Sequence, residues 1–444
     1  MKPYPKYRES GIEWLGKIPE GWEVKPLGII FTFSKGLTIT KDDLRDEGTP
    51  CVNYGEIHSK YGVMLNPAIH PLRCVETEAV RKQPDTLLQE GEFVFADTSE
   101  DLEGSGNFTC LVSKTQVAAG YHTVIARPKV EMDSPFFAHE FHSSAFRSQI
   151  QRQVKGIKVF SITQGILKNT CCWMPPLAEQ QAIASFLDRE TAKIDEAIKA
   201  TEESIELLQE ERKTIISHAV TKGLDPKAKM KDSGVEWLGG VPEHWEVKRI
   251  KFFAEILRGK FTHRPRNDPA FYDGDYPFVQ TGDITGTSRY ITEYKQTLNE
   301  KGAAVSKEFP KRTLVMAIAA NIGDVAILNF PAYFPDSIVG LVPSSKVSLM
   351  YLFYLMGSMK EPMIRTATIS TQMNLNVEQI SSLTAGCPPL TEQEAIATYL
   401  DEKTSQIDSL IAEKLGLIES LQEYRTSLIH EAVTGKIDLR EEAA

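Results

Sequence analysis

The sequence predicts an α+β protein in which two domains of mixed α/β fold are joined by two long helices that form an antiparallel coiled coil. Three observations lead to this fold class. A tryptophan-containing segment occurs twice, a proline-led segment occurs twice, and a heptad pattern follows the proline-led segment each time. The chain therefore carries a pseudo-two-fold internal repeat, and its 444 residues are enough for two or three domains.

The repeated segments enclose two unlike blocks. Residues 10–27 read SGIEWLGKIPEGWEVKPL, and residues 233–250 read SGVEWLGGVPEHWEVKRI. The second repeated segment reads PPLAEQQAIASFL at 175–187 and PPLTEQEAIATYL at 388–400. We call the repeated segments frames and the unlike blocks between them inserts. Similar frames indicate equal structural roles, and dissimilar inserts indicate that each recognises something different. Duplication followed by drift is the open alternative.

The repeats also set four expected domains. Residues 1–174 and 226–387 each hold a tryptophan segment followed by an insert, and residues 175–225 and 388–444 each hold a long helix. A net charge of −10 argues against a protein that coats nucleic acid indiscriminately. Most of the excess acid lies in the helical segments, since residues 178–225 alone carry 11 acidic and 6 basic side chains.

Each long helix is predicted from a heptad pattern. No proline or glycine occurs from residue 179 to residue 220, and apolar residues recur at alternating spacings of four and three, which is the seam of a coiled coil. Prolines at 175–176 and 388–389 mark the two starts, and Gly223 and Gly435 mark the two ends. The predicted seam residues are Leu187, Ile194, Ile198, Ile205, Leu208 and Ile215 in the first copy, and Leu400, Ile407, Ile411, Ile418, Leu421 and Leu428 in the second.

A helix of this length with one narrow apolar stripe needs a partner, and the other copy in the same chain is the obvious one. Antiparallel pairing would place the two inserts at opposite ends of a rod. Arg212 and Arg425 occupy equivalent seam positions, and each is expected to reach out to an acid such as a nearby glutamate. A simple core or surface helix is the alternative, against which the sustained heptads argue.

Both inserts are predicted to be mixed α/β, because short apolar runs are followed by helix-like stretches. The strand-like runs are residues 91–96, 122–128, 313–320, 324–330 and 337–342. Helix-like stretches cover residues 136–154 and 349–361. Each insert is therefore expected to form an α+β domain of about 150 residues.

The sequence lacks the motifs of enzymes that act on nucleic acids. It holds no GxxxxGK[ST] loop, no GxGxxG turn, no HExxH and no Asn/Asp-Pro-Pro-Tyr/Phe methyltransferase signature. Pro84-Asp85 followed by Glu90-Gly91-Glu92 lacks the lysine of a nuclease metal site. No catalytic residue and no metal site is therefore predicted, and the six cysteines, which form no CxxC pair, are expected to be reduced thiols. No apolar run reaches membrane length and no secretion signal is recognisable, so a cytoplasmic location without a membrane is expected.

Basic stretches with interleaved amides are the candidate nucleic-acid contacts. Lysine and arginine neutralise phosphates, arginine can bind guanine through two hydrogen bonds, and asparagine or glutamine can bind adenine. The basic candidates are Lys35, Arg147, Arg152, Lys155, Lys158, Arg258, Lys260, Arg264 and Arg266, with His263 adding charge only when protonated. The polar candidates are Asn53, Tyr54, Thr163, Gln164, Gln280, Thr281, Asn321 and Gln372.

The repeated strings resemble a known family. The tryptophan segments, together with PPLAEQQAIASFLDRETAKID and PPLTEQEAIATYLDEKTSQID, are similar to the paired signatures of type I restriction-modification specificity (S) subunits. The resemblance covers the whole chain in layout and is strongest over the two helical frames. It implies that each insert is a target recognition domain that binds one half of a bipartite site in double-stranded DNA, and that the chain is not itself an enzyme.

The resemblance also implies partners. The helices would set the spacing of the half-sites and dock two modification subunits, which bind S-adenosylmethionine and methylate adenine. Restriction subunits would add ATP- and Mg-dependent translocation and cleavage, so no cofactor is expected in this chain. Two alternatives remain: a nuclease or methyltransferase in its own right, which the missing motifs oppose, and a coiled-coil scaffold that does not bind DNA, which a salt-dependent affinity for duplex DNA would exclude.

Overall fold

The computed structural model describes residues 2–156, 158–366 and 374–443, so the candidate Gln372 lies outside the described residues. The chain divides into two compact units. The first unit contains Met1–Thr201 and Gly416–Ala444, and the second contains Glu202–Leu415. Each unit holds one insert with its tryptophan segment and parts of both long helices.

The first unit is built from short strands and helices that precede the first long helix. Its strands are β1 (Tyr7–Glu9), β2 (Lys17–Pro19), β3 (Glu23–Pro26), β4 (Phe31–Lys35), β5 (Thr49–Val52), β6 (Met64–Leu65), β7 (Arg73–Val75), β8 (Leu87–Leu88), β9 (Phe93–Ala96), β10 (Thr98–Ser99), β11 (Phe108–Leu111), β12 (Val117–Ala119), β13 (Thr123–Pro128), β14 (Phe160–Ser161) and β15 (Cys171–Met174). Its helices are α1 (Leu27–Ile30), α2 (Tyr54–Ser59), α3 (Thr77–Lys82), α4 (Ser134–His142), α5 (Ser144–Gln151), α6 (Gln164–Asn169) and the start of α7 (Leu177–Lys222), with 3-10 turns at Lys41–Asp43 and Pro84–Thr86.

The second unit repeats much of this order of elements. Its strands are β16 (Met230–Asp232), β17 (Gly240–Pro242), β18 (Glu246–Arg249), β19 (Ala254–Arg258), β20 (Tyr272–Phe278), β21 (Tyr290–Ile291), β22 (Gln296–Leu298), β23 (Lys307–Phe309), β24 (Leu314–Ala317), β25 (Val325–Leu328), β26 (Ala332–Phe334), β27 (Ile338–Pro343) and β28 (Thr384–Cys387). Its helices are α8 (Thr281–Thr285), α9 (Glu300–Val305), α10 (Leu349–Ser358), α11 (Lys360–Thr366), α12 (Val377–Ser382) and the start of α13 (Leu390–Val433), with 3-10 turns at Ile250–Phe252 and Pro269–Phe271. A last 3-10 turn, Arg440–Ala443, follows α13 in the first unit.

Two sheets form the body of each unit. In the first unit a five-stranded sheet has the order β4-β13-β9-β11-β6, and a four-stranded sheet has the order β7-β5-β12-β8. The second unit has β19-β27-β24-β25-β21 and β22-β20-β26-β23. The two inserts therefore share one topology although their sequences show little resemblance, which confirms the predicted mixed α/β fold.

The repeated segments meet in a separate two-stranded pairing. Strand β3, from the first tryptophan segment, pairs antiparallel with β15, which directly precedes the proline-led segment. Strands β18 and β28 pair in the same way in the second unit. The two repeated segments of each half are thus one structural frame, although the insert separates them in sequence.

The Glu-Gln pair of each proline-led segment holds this frame together. In the first unit Trp22 Nε1 donates to Glu179 Oε1 at 2.9 Å, and Gln180 Oε1 accepts from the backbone N–H of Asp133 at 2.9 Å. In the second unit Trp245 Nε1 donates to Glu392 Oε1 at 3.0 Å, and Gln393 Oε1 accepts from the N–H of Ser348 at 2.9 Å. Asp133 and Ser348 are the N-caps of α4 and α10, so each glutamine fixes the start of the helix that follows the five-stranded sheet.

The long helices pair antiparallel, as the sequence predicts. In the first unit one apolar core joins Ile194 near the start of α7 to Leu428 near the end of α13. In the second unit the core joins Ala219 near the end of α7 to Leu400 near the start of α13. Every predicted seam residue is buried or half-buried. Gly223 and Gly435 follow the helices with φ of +76° and +69°, a backbone conformation that favours glycine at a helix end.

Two details of the helices refine what the sequence predicted. Arg212 and Arg425 each reach an acid, as expected, but it is an aspartate of the opposite helix, Asp408 for Arg212 and Asp195 for Arg425. The seam also includes buried Thr191 and Thr404, which the apolar heptad pattern omitted. Thr191 can be buried because its hydroxyl donates to the carbonyl of Leu187 at 2.7 Å.

The helix expected at residues 136–154 is two helices. It breaks at Ser143, whose side chain accepts from the N–H of Phe146 and caps α5, while its hydroxyl donates to the carbonyl of Glu140 at 2.6 Å. Serine offers the backbone this local alternative to a continuous helix. The break lets Phe141 and Phe146 stack with ring centres 4.4 Å apart in the aromatic core.

Candidate nucleic-acid interface

Two predicted cations, Lys35 and Arg258, end equivalent strands. Lys35 is the last residue of β4 and lies opposite Val124 of β13. Arg258 is the last residue of β19 and lies opposite Val339 of β27. Both side chains are exposed. Each unit therefore presents a cation at the same end of the same sheet, and the other candidates can be placed relative to that end.

Most candidates of the second unit gather around this strand end. A cleft of about 550 Å³ is lined by Arg258, Lys260 and Arg264. A neighbouring cleft of about 560 Å³ is lined by Arg266, Gln280 and Thr281, among other residues. Phe261 lines both clefts. Six of the candidates that the sequence analysis selected from residues 258–281 thus line one continuous region.

Asp336 fixes two of these arginines. Its Oδ2 lies 3.4 Å from Nη2 of Arg264, and its Oδ1 contacts Nη2 of Arg266. Arg258 and Lys260, by contrast, are exposed and make no ion pair or side-chain hydrogen bond within the described part of the chain. The two neighbouring clefts therefore combine two cations held by an ion pair with two that are free to follow a ligand.

The polar candidates of the second unit lie on helix α8 and the loop beside it. Gln280 is the N-cap of α8, and its side-chain amide donates to Gln296. Thr281 Oγ1 lies 3.5 Å from Ser337 Oγ. Asn321 Nδ2 donates to Thr285 Oγ1 at 2.9 Å, so it joins the same helix one turn further on. Amide and hydroxyl groups of this kind can accept and donate hydrogen bonds at base edges.

The first unit forms its own cleft, about 500 Å³ in volume, at the corresponding end. Tyr54 and Arg147 both line it. The Arg147 guanidinium donates to the carbonyl of Glu103 and to Asn107 Oδ1, so it holds the loop that forms one wall. Burial lowers the pKa of Arg147, and its Nε is buried without a hydrogen-bond partner in the described part of the chain.

The candidates Arg152, Lys155, Lys158 and Gln164 belong to a segment that reaches the same region. The three cations are exposed, and Gln164 is the half-buried first residue of α6, which Thr163 caps by accepting from the N–H of Ile166 at 3.2 Å. Strand β14 pairs with β10, and the N–H of Ile162 donates to the carbonyl of Asp97 at 2.8 Å. Because Ser99 of β10 lines the cleft, this pairing brings the basic loop to the cleft rim.

Asn53 differs from the other candidates because it is only 1% exposed. Its amide donates to Glu56 Oε2 at 3.1 Å, and it precedes α2 as Gln280 precedes α8. The backbone of Gly120 packs so closely that a Cβ there would lie 1.9 Å from Asn53 Oδ1. In the free protein Asn53 shapes the strand end, while the neighbouring Tyr54 is the accessible group.

Sequence reasoning missed three groups at these clefts. Tyr121 and His122 surround Tyr54, with ring centres 5.6 and 5.3 Å from its own. Asp336 was missed because an acidic residue is not selected as a DNA contact, and its arginine partners are known only from the structure. All three residues lie in the loops before β13 and β27, and only the structure shows that these loops precede equivalent strands.

The remaining sequence motif has a structural explanation. Glu92, the last residue of the nuclease-like string, is 7% exposed and pairs with Arg127 at 3.0 Å between Oε1 and Nε. Among the described residues no group of three or more His, Cys, Asp or Glu side chains could hold a metal ion. None of the described helices is long and apolar enough to cross a membrane.

Comparison with known proteins places the chain in a family. A model of the family described as type I restriction modification DNA specificity domain matches residues 19–207 and again residues 242–420. The chain is 21% identical over 432 residues to the type I restriction enzyme EcoKI specificity subunit of Escherichia coli K12, an alignment that covers 91% of this chain and 88% of that protein.

Two solved structures share the fold. One, from work on the complex assembly and conformational transition of the type I R-M system, gives a TM-score of 0.73 at 17% identity and covers 95% of this chain and 99% of that chain. The other, the HsdS subunit from Thermoanaerobacter tengcongensis, gives 0.56 at 17% identity with 95% and 98% covered. Because the family model matches the chain twice and over most of its length, the chain belongs to the type I restriction-modification DNA specificity family, as a non-catalytic specificity subunit.

Proposed function

We propose that the chain reads a bipartite sequence in double-stranded DNA, with one half-site bound by each unit. The observation that carries this proposal is the equivalent placement of Lys35 and Arg258. Two inserts of unlike sequence present their cations, amides and clefts at the same strand end of the same topology. Equal placement with unlike side chains is what two readers of different half-sites require.

Within each unit the contacts divide into two classes. Exposed cations on loops, such as Lys155 and Lys158 in the first unit and Lys260 in the second, bind phosphates and supply affinity without sequence preference. Groups held in place by the protein, such as Gln280 and the Arg264–Asp336 pair, read base edges, because discrimination needs a donor or acceptor of fixed position.

The helices α7 and α13 carry the second part of the proposal. They determine how many bases separate the half-sites, and together with the repeated frames they dock two modification subunits. Those subunits bind S-adenosylmethionine and methylate adenine, and restriction subunits add ATP- and Mg-dependent cleavage. This chain holds no cofactor and contributes only the choice of sequence, in the cytoplasm where its target DNA lies.

Exchange of one insert tests the proposal. Residues 28–172 are replaced by the equivalent insert of a relative with a known site, and the chimera is co-expressed with its modification subunit. Mapping of methylated adenines across genomic DNA should show one changed half-site, with the other half-site and the spacer retained. A chimera with residues 251–386 exchanged is the matched control and should change the other half. A change in both half-sites from a single exchange contradicts the proposal.

A further inference from the structure

Two large apolar side chains, Ile29 and Phe252, are exposed at equivalent places in the two units. They are 60% and 61% exposed, respectively. Ile29 lies in α1, between β3 and β4, and Phe252 lies in the 3-10 turn between β18 and β19. The residues that follow them, Ile30 and Phe253, are 1% and 0% exposed. In each turn the residue that follows is therefore buried in the core, while one large apolar side chain points outward.

The fold of the unit does not account for this choice of residue. An outward side chain on a short turn contributes little to packing, so a polar residue would serve the fold equally well. Single exposed apolar residues are common on protein surfaces. Here the same choice is made twice, just after each tryptophan segment ends, although the neighbouring residues differ, since Gly28 stands where the second unit has Lys251. A shared task outside the unit explains the repetition.

Cationic groups flank both side chains. In the first unit Lys129 Nζ donates to the carbonyl of Gly28 at 2.8 Å, beside Ile29, and Val130 adds a second exposed apolar side chain at 42%. In the second unit Lys251 Nζ lies 5.1 Å from the ring centre of Phe252. No acidic residue occurs in the turn sequences 26–31 and 247–254. Each patch is therefore an apolar side chain beside positive charge.

These patches lie away from the candidate DNA interface. Ile29 precedes β4 and Lys35 ends it, and Phe252 precedes β19 and Arg258 ends it. The strand that separates the members of each pair is five residues long and spans about 15 Å at about 3.3 Å per residue. A partner bound at the patches would therefore leave the strand ends of both units free to contact DNA. DNA bases contacted by those strand ends would not reach the patches.

We propose that Ile29 and Phe252 are the centres of two equivalent docking patches for two copies of one protein, the modification subunit. This inference rests on the proposed function, which requires two such subunits on one chain. Two equal patches suit two equal partners. The contact surface of the partner has an apolar socket for the side chain and carboxylates that face Lys129 in one unit and Lys251 in the other.

The test measures how many modification subunits bind. The full-length chain and the variants Ile29→Asp, Phe252→Asp and the double variant are mixed with the purified modification subunit, and native mass spectrometry gives the stoichiometry. The wild type should bind two copies, each single variant should lose about tenfold or more in affinity for one copy, and the double variant should lose both. Ile29→Leu and Phe252→Leu should retain two. Ile69→Asp is the control, because Ile69 is 72% exposed in the first unit and lies outside the turn that carries Ile29.

The outcomes separate this inference from the proposed function. If the double variant still binds two copies and methylates the wild-type sites, the patches are not the docking points although the chain is still a bipartite reader. If the variants instead change the oligomeric state of the free chain, or weaken its binding to duplex DNA, the occupant is a second copy or the DNA backbone and the inference is overturned. If the wild type binds no modification subunit, the proposed function itself fails.

Discussion

Arg425 on α13 lies 2.9 Å from Asp195 on α7, measured from Nε to Oδ1, within the first unit. In the second unit Arg212 on α7 lies 3.1 Å from Asp408 on α13. The arginine of each helix therefore uses the aspartate of the other copy. This exchange is what antiparallel pairing of a duplicated helix produces, and it places charge at a seam position without burying it fully.

Charge reversal at this pair should be repaired by a second reversal. Both side chains are partly exposed, at 30% for Arg425 and 54% for Asp195, so the pair contributes about 0–1 kcal/mol. Asp195→Arg places two cations side by side and should lower the free energy of unfolding by about 1 kcal/mol in urea denaturation. The double variant Asp195→Arg with Arg425→Asp should recover most of this loss. Equal losses in the single and double variants would mean that the pair is not coupled.

Gln180→Ala should destabilise the first unit strongly. Gln180 is 2% exposed, and besides the N–H of Asp133 it bonds the carbonyl of Pro175 at 2.8 Å. Two buried hydrogen bonds are lost and a helix cap loses its support, so the expected cost is about 2–4 kcal/mol in thermal or urea unfolding. Gln181→Ala, at the exposed neighbouring residue, is the control and should change stability by less than about 0.5 kcal/mol. Similar losses of stability for both substitutions would contradict the role of Gln180 in fixing the start of α4.

Glu140→Gln should make the first unit less sensitive to alkaline pH. Glu140 is fully buried, and burial raises its pKa well above the ordinary 4.5 although its Oε1 accepts from the N–H of Trp173 at 2.8 Å. The folded state thus keeps the proton that the unfolded state releases above pH 4.5. The stability of the wild type should therefore fall as the pH rises from 4.5 towards the folded-state pKa, by up to about 1.4 kcal/mol per pH unit.

The glutamine retains the acceptor for Trp173 and cannot ionise, so it removes this slope. Urea midpoints measured at several pH values between 5 and 9 should show the variant gaining on the wild type as the pH rises. Parallel pH profiles for the two proteins would show that Glu140 is not protonated in the fold.

The loop cations of the first unit should contribute to the salt dependence of DNA binding. Each phosphate contact adds about 0.9 to the slope of log affinity against log salt. The double variant Lys155→Ala with Lys158→Ala should therefore reduce the slope for cognate duplex by up to about 1.8. Lys82→Ala, an exposed cation of α3 outside the clefts, is the control and should leave the slope unchanged. An unchanged slope in the double variant would remove this loop from the interface.

Asp336→Asn should relax sequence discrimination by the second unit. Without the carboxylate, Arg264 and Arg266 lose their shared ion-pair partner and Arg264 keeps only its bonds to backbone carbonyls, while the region keeps both positive charges. Affinity for cognate duplex should fall about tenfold, and affinity for unrelated duplex should stay level or rise. Asp275→Asn, at an exposed aspartate of this unit, makes the same change in net charge and should alter neither affinity. An equal loss on both duplexes would show that Asp336 only supports the fold.

Sequence reasoning found the candidate interface through basic stretches with interleaved amides, and the repeat relates two of these candidates. Lys35 and Arg258 are 223 residues apart, the offset that relates the tryptophan segments, so one register connects both strand ends. It did not find that Asn53 is buried while the equivalent Gln280 is exposed. That difference depends on the backbone of Gly120, which directly follows β12, far along the chain from Asn53.

The amino-acid sequence by itself determined the elements whose signals are local or periodic. The heptads specify the seam from Leu187 to Leu428, the prolines and Gly223 specify where the helices start and end, and the duplication specifies two equal frames. Tertiary structure alone decided which distant groups meet: Gln180 with Asp133, and Asp336 with Arg264. Such pairings depend on the packing of whole sheets and loops, and neither residue of a pair carries a local signal of its partner.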